Sequence, residues 1–433
     1  MEAHGWGRYP RINAAVLYPA THRECAADIA SASPLIVRGL GRSYGDSALA
    51  ERILDTRRLD HFLAFDSKTG LLTCSAGQTL DQILRVFVPR GWFLPVTPGT
   101  RYITVGGAIA SDVHGKNHHA DGSFCNHVTQ VEILLGNGER RIASPTEHPE
   151  LFHATCGGMG LTGMILSATV RLLPIASSQI IETTVKLRDL EHVLTAFEEN
   201  SAATYSVAWI DCLARGKHLG RSLLMLGEHA ETGPLTVNAK QAWPVPIDPP
   251  PSLLNHGTVA AFNTLYYQKT QRARSTRHVA FEPFFYPLDR LANWNRLYGK
   301  PGFVQYQFVL PHENGPRGLQ TILEYIAESG RGSFLAVLKL LGKPNGNLLS
   351  FPMMGYTLAL DFRAEPAVFE LLAKLDHLVL EQGGRIYLAK DARMSESMFK
   401  TSYRKWQEFE EVRSRYHAHG KFASIQSKRL GLQ

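Results

Sequence analysis

The segment from Arg38 to Asp46, reading Arg-Gly-Leu-Gly-Arg-Ser-Tyr-Gly-Asp, directly follows an apolar run, Pro34 to Val37, that has the character of a strand. Gly39, Gly41 and Gly45 admit the backbone angles at which consecutive N–H groups converge on an anion. With Leu40 and Tyr44 between them and Arg42 and Ser43 adding donors, the residues from Arg38 on suit a phosphate cradle. A glycine-rich surface turn is the competing reading. A second small-residue stretch, Pro98 to Ala110, holds Gly99, Thr104, Val105, Gly106 and Gly107 and allows close backbone approach to an extended ligand. Alone it is equally a turn packed on its own sheet. Two such loops in one half of a chain suit the two phosphates of a dinucleotide.

Gly158, Gly160 and Gly163 fit the spacing G-x-G-x-x-G, but they follow a helix-like segment and precede a strand-like one. That is the reverse of the order a nicotinamide-type site requires, so those glycines serve some other close backbone approach. Next to the second loop stand Ser111, Asp112, Val113, His114, Gly115, Lys116, Asn117, His118 and His119. Three histidines invite a metal reading, yet there is no H-E-x-x-H and no second Cys/His cluster, so no metal is expected. His114 is expected to face a cofactor or substrate, with His118 and His119 as polar loop residues. Farther along, Gln305 and Gln307 stand two apart on an apolar strand, hence on one face, where amides suit sugar hydroxyls. Lys339 interrupts the apolar run Phe334 to Leu341: a buried lysine needs an anionic partner or a shifted pKa, and a strand-edge lysine reaching solvent is the alternative. Lys390 beside Asp391 could belong to a solvated charge cluster.

The elements that must hold these residues divide in two. From Val16 to Leu173 short strands alternate with helical periods (His22 to Ser33, Thr79 to Val88), and a hairpin signal at Gly136-Asn137-Gly138 joins Val131–Leu135 to Arg140–Ala143. After Pro174 come longer strands at 180–187, 206–211, 303–310, 334–341 and 356–362, with helices at 190–197, 259–267, 319–327 and 368–380, the pattern of an antiparallel sheet covered by helices. The stretch Trp243 to Leu254, with five prolines, reads as a loop able to sustain neither helix nor ladder. Arg385 to Ala389 reads as a strand and Ser395 to about Tyr416 as one long helix.

At 433 residues, with 44% hydrophobic and 20% charged, the chain is an ordinary globular one of about two domains. Its net charge of +7 suits phosphate-bearing ligands, an anionic membrane surface or nucleic acid alike and does not choose among them. No basic run is interleaved with stacking aromatics, which argues against nucleic acid. Five scattered cysteines without C-x-x-C, no apolar stretch long enough to span a bilayer and no secretory leader point to a reducing, cytoplasmic setting.

The succession of Arg38–Asp46, Pro98–Ala110, His114–His119 and Gly157–Gly163 resembles the FAD-binding domain of the vanillyl-alcohol-oxidase superfamily. Within it the chain is similar to the decaprenylphosphoryl-β-D-ribose 2′-oxidase family, the flavoenzymes of arabinan precursor synthesis. The likeness extends to Gly5–Arg8, to Trp294–Leu310 (WNRLYGKPGFVQYQFVL), to Leu349–Pro352, to Arg385–Arg393 (RIYLAKDAR) and to Phe422–Leu430. It implies an α+β, PCMH-type flavoprotein of two domains: a discontinuous FAD-binding domain (1–177 and 385–433) and an antiparallel-sheet substrate domain (178–384). It implies that Val37 to Ser47, Gly99, Thr104 to Gly107, Ser111 to His114, Ile165 and Tyr387 line the FAD. No histidine occurs in Arg38–Asp46, where covalent members attach the flavin, so non-covalent FAD is expected. Gln305, Gln307, Lys339 and Lys390 would line the substrate pocket, with Lys390 contacting the reacting hydroxyl or the flavin and His114 a second group for proton handling. Mycobacterial members carry a cysteine where this chain has Ala359, so a thiol is dispensable here. The implied activity is oxidation of the ribose 2′-hydroxyl of a polyprenyl-phosphoryl ribose; a soluble sugar, alditol or lactone is the alternative substrate. The implied partners are a short-chain reductase completing epimerisation and quinone or oxygen as electron acceptor. Contact with the inner membrane at its cytoplasmic side is expected, the envelope face being the alternative. An apolar exit for the lipid is expected near the proline-rich loop, Val259 to Phe262 and Leu265.

Overall fold

The structure, a computed structural model, describes residues 1–31, 33–238, 242–250 and 255–432. Pro251 to Leu254 of the proline-rich stretch, and Ala32 within the expected first helix, lie outside the described residues. Besides two short two-stranded pairs, the N-terminal half carries a three-stranded and a five-stranded sheet among the described residues. In a parallel one, Arg52–Asp55 lies between Ala15–Leu17 and Ile36–Arg38. An antiparallel one runs in the order Arg140–Ala143, Val128–Leu134, Met164–Arg171, Leu71–Ser75, Phe62–Asp66. The helix Leu80–Phe87 is started by a capping box, in which Thr79 accepts from the Gln82 amide and Gln82 reaches back to Thr79, and it buries Leu80, Ile83, Leu84 and Phe87. The first glycine loop leaves the end of Ile36–Arg38, and the second runs into a short helix, Val105–Ala110.

Residues 179 to 386 build one eight-stranded sheet, ordered Arg274–Ala280, Gln179–Leu187, Ser222–His229, Tyr205–Ile210, Ala336–Leu341, Gly355–Arg363, Phe303–Pro311, Arg385–Ile386. In Phe303–Pro311 every residue through Leu310 is buried, because both faces are covered. Tyr306 bonds the Asp376 carboxylate of the helix Pro366–Glu381 on one face, which places Gln305 and Gln307 on the other, toward the N-terminal half. Register puts Gln305 opposite Asp361, Gln307 opposite Ala359, and Lys339 opposite Thr357. Lys339 thus sits on an interior strand and not at a sheet edge.

Three further expectations are corrected. The strand expected at Arg385–Ala389 is only Arg385–Ile386, and it pairs with Phe303–Pro311, so it extends the substrate-domain sheet before the chain crosses back at Tyr387. The single long C-terminal helix is two, Glu396–Ser402 and Trp406–Arg415. Tyr403 breaks it by leaving helical dihedrals so that its hydroxyl donates to the Ile386 carbonyl at 2.7 Å inside the core. Within the proline-rich stretch, Trp243–Pro244 does form a ladder, pairing in parallel with Leu291–Ala292.

Candidate active site

The two glycine loops meet. A Cβ on Gly39 would lie 2.2 Å from the Thr104 hydroxyl, which caps the Val105–Ala110 helix, so only glycine lets the loops touch there. Of the three glycines expected to need positive φ in the first loop, only Gly41 has it; Gly39 and Gly45 are required by close approach. Among the described residues, no backbone N–H from Gly39 to Ser43 meets an acceptor within the protein. Five consecutive unclaimed amides in a loop lining a cavity are what a diphosphate requires, and the residues fit that part of FAD.

The cavity these loops line, about 480 Å³, continues to the substrate-domain sheet, where Gln305, Gln307, Lys339 and Ala359 form its wall. His114, Tyr387 and Lys390 stand between. Lys390 is brought there by the chain's return: the Tyr44 amide donates to the Ala389 carbonyl at 2.9 Å, and the Lys390 ammonium lies 3.9 Å above the centre of the Tyr44 ring. Arg429, near the C-terminus, clamps the same junction by pairing with both Asp46 and Asp391 at 2.8 Å.

Electrostatics at this junction follow from burial. Desolvation brings the Lys390 ammonium down to about 7, against an upward pull from the Asp361 carboxylate, while Lys339 pushes it farther down. Lys339 falls to about 8 for the same reason, burial. Asp361, fully enclosed, rises to about 7, opposed by a hydrogen bond from the Gln305 amide at 2.6 Å and by the Lys390 charge. His114 is held well below its ordinary range by burial and by the Lys339 charge, so it is neutral. Its tautomer follows from its neighbours. Thr357 spends its hydroxyl proton on the Phe308 carbonyl, so the Gln307 nitrogen must donate to Thr357 Oγ1. The same nitrogen lies 3.0 Å from His114 Nε2, which therefore accepts, leaving the proton on Nδ1. That Nδ1 is buried without a hydrogen-bond partner among the described residues.

Most residues singled out in the sequence line this cavity: Arg38 to Tyr44, Gly99, Thr104, Gly106, Gly107, Ser111, Val113, His114, Ile165 and Tyr387, with Gln305, Gln307, Lys339 and Lys390. Four of the expected flavin-lining residues stand behind the wall instead. Gly45 packs against the Asp391 backbone, Asp46 pairs with Arg429, and Val105 is core. Asp112 is buried and accepts from the Cys125 amide, Asn345, Asn347 and Ser350, tying the two domains together. Arg38 donates to the His4 carbonyl, and Arg42 lies 3.9 Å over the Trp6 ring, a contact that leaves its N–H groups able to donate. His118 and His119 are not plain loop residues, since His118 accepts from the Gly342 amide and His119 contacts the Ala203 carbonyl. Sequence reasoning missed Trp6, Lys116, Trp209 and Phe284 in the lining and Asp361 behind it. Lys116 lay inside the histidine-rich segment, Trp6 within Gly5–Arg8 and Asp361 two residues from Ala359, whereas Trp209 and Phe284 lay near no recognised signal.

A family model described as an FAD binding domain matches residues 13–144. A decaprenylphosphoryl-β-D-ribose oxidase from Mycolicibacterium smegmatis is 38% identical over 447 aligned positions, which cover 99% of this chain and 97% of the relative. An uncharacterized Streptomyces coelicolor protein from the mprA 5′ region is 31% identical over 82% of this chain and 100% of its own. A putative D-arabinono-1,4-lactone oxidase from Neurospora crassa is 29% identical, but over only 34% of this chain and 27% of its own. The short match covers about a third of the chain, whereas the match to the mycobacterial oxidase runs over nearly all of it. The chain belongs to the decaprenylphosphoryl-β-D-ribose oxidase family of FAD-dependent oxidoreductases.

Proposed function

We propose that the protein oxidises the 2′-hydroxyl of a polyprenyl-phosphoryl-β-D-ribose to the 2-keto sugar, using non-covalently bound FAD. The observation that carries this reading is the single cavity joining the unclaimed amides of Gly39–Ser43 to the amide- and lysine-lined wall of the substrate domain. The residues from Val37 to Ser43, with Gly99, Thr104, Gly106 and Gly107, would hold the cofactor. FAD supplies, when bound, the acceptor for the hydride that leaves the sugar's C2.

Gln307 has both amide hydrogens engaged, so its carbonyl oxygen is the atom left to accept from a sugar hydroxyl. Lys390, whose pKa is brought down to about 7, holds a substantial neutral fraction at neutral pH, and its Nζ takes the proton of the reacting hydroxyl. Asp361 behind Gln305 balances the ammonium so formed. His114, a neutral ring, would orient the substrate or cofactor through Nδ1–H beside Lys390.

The keto product must be reduced from the opposite face to give arabinose, which calls for a short-chain reductase as partner, and quinone or oxygen must reoxidise the cofactor. Exposed Trp243, Ile247, Phe262, Leu265 and Leu291 support peripheral contact with a membrane. The test follows flavin absorbance anaerobically, with polyprenyl-phosphoryl ribose in one arm and free alditols or sugar lactones in the other. Bleaching by the lipid-linked ribose is expected. Bleaching by the soluble compounds alone would replace this reading with that of a soluble-sugar oxidase.

A further inference from the structure

Lys116 takes no part in the chemistry described so far, yet it lines the same cavity as Lys339. Its Nζ donates to the Phe284 carbonyl at 2.7 Å and lies 4.5 Å from the centre of the Phe284 ring, while its own carbonyl accepts from Ser206, so it is fixed against the substrate domain and not against the glycine loops. Six cationic side chains line the cavity: Arg38, Arg42, Lys116, Arg277, Lys339 and Lys390. Arg38 and Arg42 belong to the first glycine loop, whose amides would hold the cofactor's diphosphate, and Lys390 faces Asp361. The two carboxylates of the wall are engaged elsewhere: Glu182 pairs with Arg277 at 2.9 Å, and Asp289 accepts from the Arg101 amide at 3.0 Å. Lys116 and Lys339 are left facing one another, each lowering the cost of an incoming anion, and Lys339 has no hydrogen-bond acceptor among the described residues. Glu182, already paired with Arg277, is the carboxylate that acts on Lys116, and two desolvated ammonium groups remain costly unless a ligand brings further negative charge.

We infer that Lys116 and Lys339 together seat the phosphodiester of the substrate, and so set the direction in which the lipid-linked sugar enters. This rests on the proposed substrate. The remaining Nζ hydrogens of Lys116 and those of Lys339 donate to the non-bridging oxygens, as charge-assisted hydrogen bonds from two strands of chain. The sugar then lies toward Gln307 and Lys390, and the lipid leaves on the far side past Trp209, Met225 and Tyr266, which line the same cavity.

The experiment uses the FAD-loaded enzyme with geranyl phosphate, which has the phosphate and an isoprenoid but no sugar, and geraniol as its uncharged counterpart. Geranyl phosphate is expected to inhibit competitively and to perturb the flavin spectrum, and geraniol to do so far more weakly. In Lys116→Met the KM for lipid-linked ribose and the inhibition constant of geranyl phosphate should both rise about tenfold or more, the scale of one lost charge-assisted hydrogen bond. The change in kcat should be smaller, and flavin content and melting temperature should stay at the parent values. Lys339→Met should give the same split and Lys116→Arg a partial recovery. An unchanged KM and inhibition constant in both methionine variants, or equal losses for geraniol and geranyl phosphate, would overturn the inference. Should the parent enzyme fail to oxidise lipid-linked ribose, the substrate reading fails, while the geranyl phosphate titration still reports on the phosphate seat.

Discussion

Lys390 concentrates the residue-scale claims. Because its neutral amine accepts the hydroxyl proton and its pKa is brought down to about 7, turnover should rise as pH increases through about 7 and level off above. Asp361 pulls that pKa up, so in Asp361→Asn the acidic limb of the pH profile should move to lower pH, a displacement that a purely structural loss would not produce. Lys390→Met should retain FAD and lose turnover by about 10²-fold or more, the range of a removed general base. Ala359 offers a separate handle. It sits on the cavity wall opposite Gln307, and all five cysteines of the chain are buried. Inhibitors that trap the cysteine of mycobacterial relatives should leave this protein's mass unchanged, and Ala359→Cys should restore a single adduct by mass spectrometry. Gln305, Gln307 and Lys339 were legible as sequence because polar groups break an apolar strand pattern. Asp361 was not, since its importance comes from Gln305 directly across the ladder and from the Lys390 charge reaching it from another domain.

At the scale of elements, the first glycine loop and the Tyr387–Asp391 segment form one unit. A Cβ on Gly45 would fall 1.9 Å from the Asp391 carbonyl oxygen, with backbone on both sides and no flexible side chain to yield. Gly45→Ala should therefore force the loop from the lysine-bearing segment at about 1–3 kcal/mol. The checks are a lower melting temperature together with reduced flavin retention, and an unaltered melting curve would refute the contact. The strand–glycine loop and the second loop could be read from the chain because glycine density and strand periodicity are local signals. The break at Tyr403 was hidden, because a tyrosine is acceptable in a helix and only the buried Ile386 carbonyl makes leaving it worthwhile. The pairing of Arg385–Ile386 with Phe303–Pro311 was hidden for a similar reason: two residues carry no pairing information.

For the whole molecule, the cavity lies between two domains tied together through Asp112, while Arg429 joins the two separated parts of the FAD-binding domain. Ligand that binds only the folded state adds stability by mass action, about 2.7 kcal/mol at a hundred times Kd, so added FAD should raise the melting temperature of cofactor-stripped protein. Acid precipitation should release the flavin into the supernatant, since no covalent link is expected. The general two-domain plan was legible from the change in glycine content and strand length near residue 177. The clamp of the C-terminus on the first loop was not, because Asp46 and Arg429 meet across nearly the full length of the chain. The measurement that bears most directly on the central claim is anaerobic stopped-flow bleaching of the flavin by polyprenyl-phosphoryl ribose carrying deuterium at C2. Bleaching slower than with the protium compound, and a keto sugar that has lost its deuterium, are expected; equal rates with deuterium retained in the product would contradict oxidation at the 2′ position.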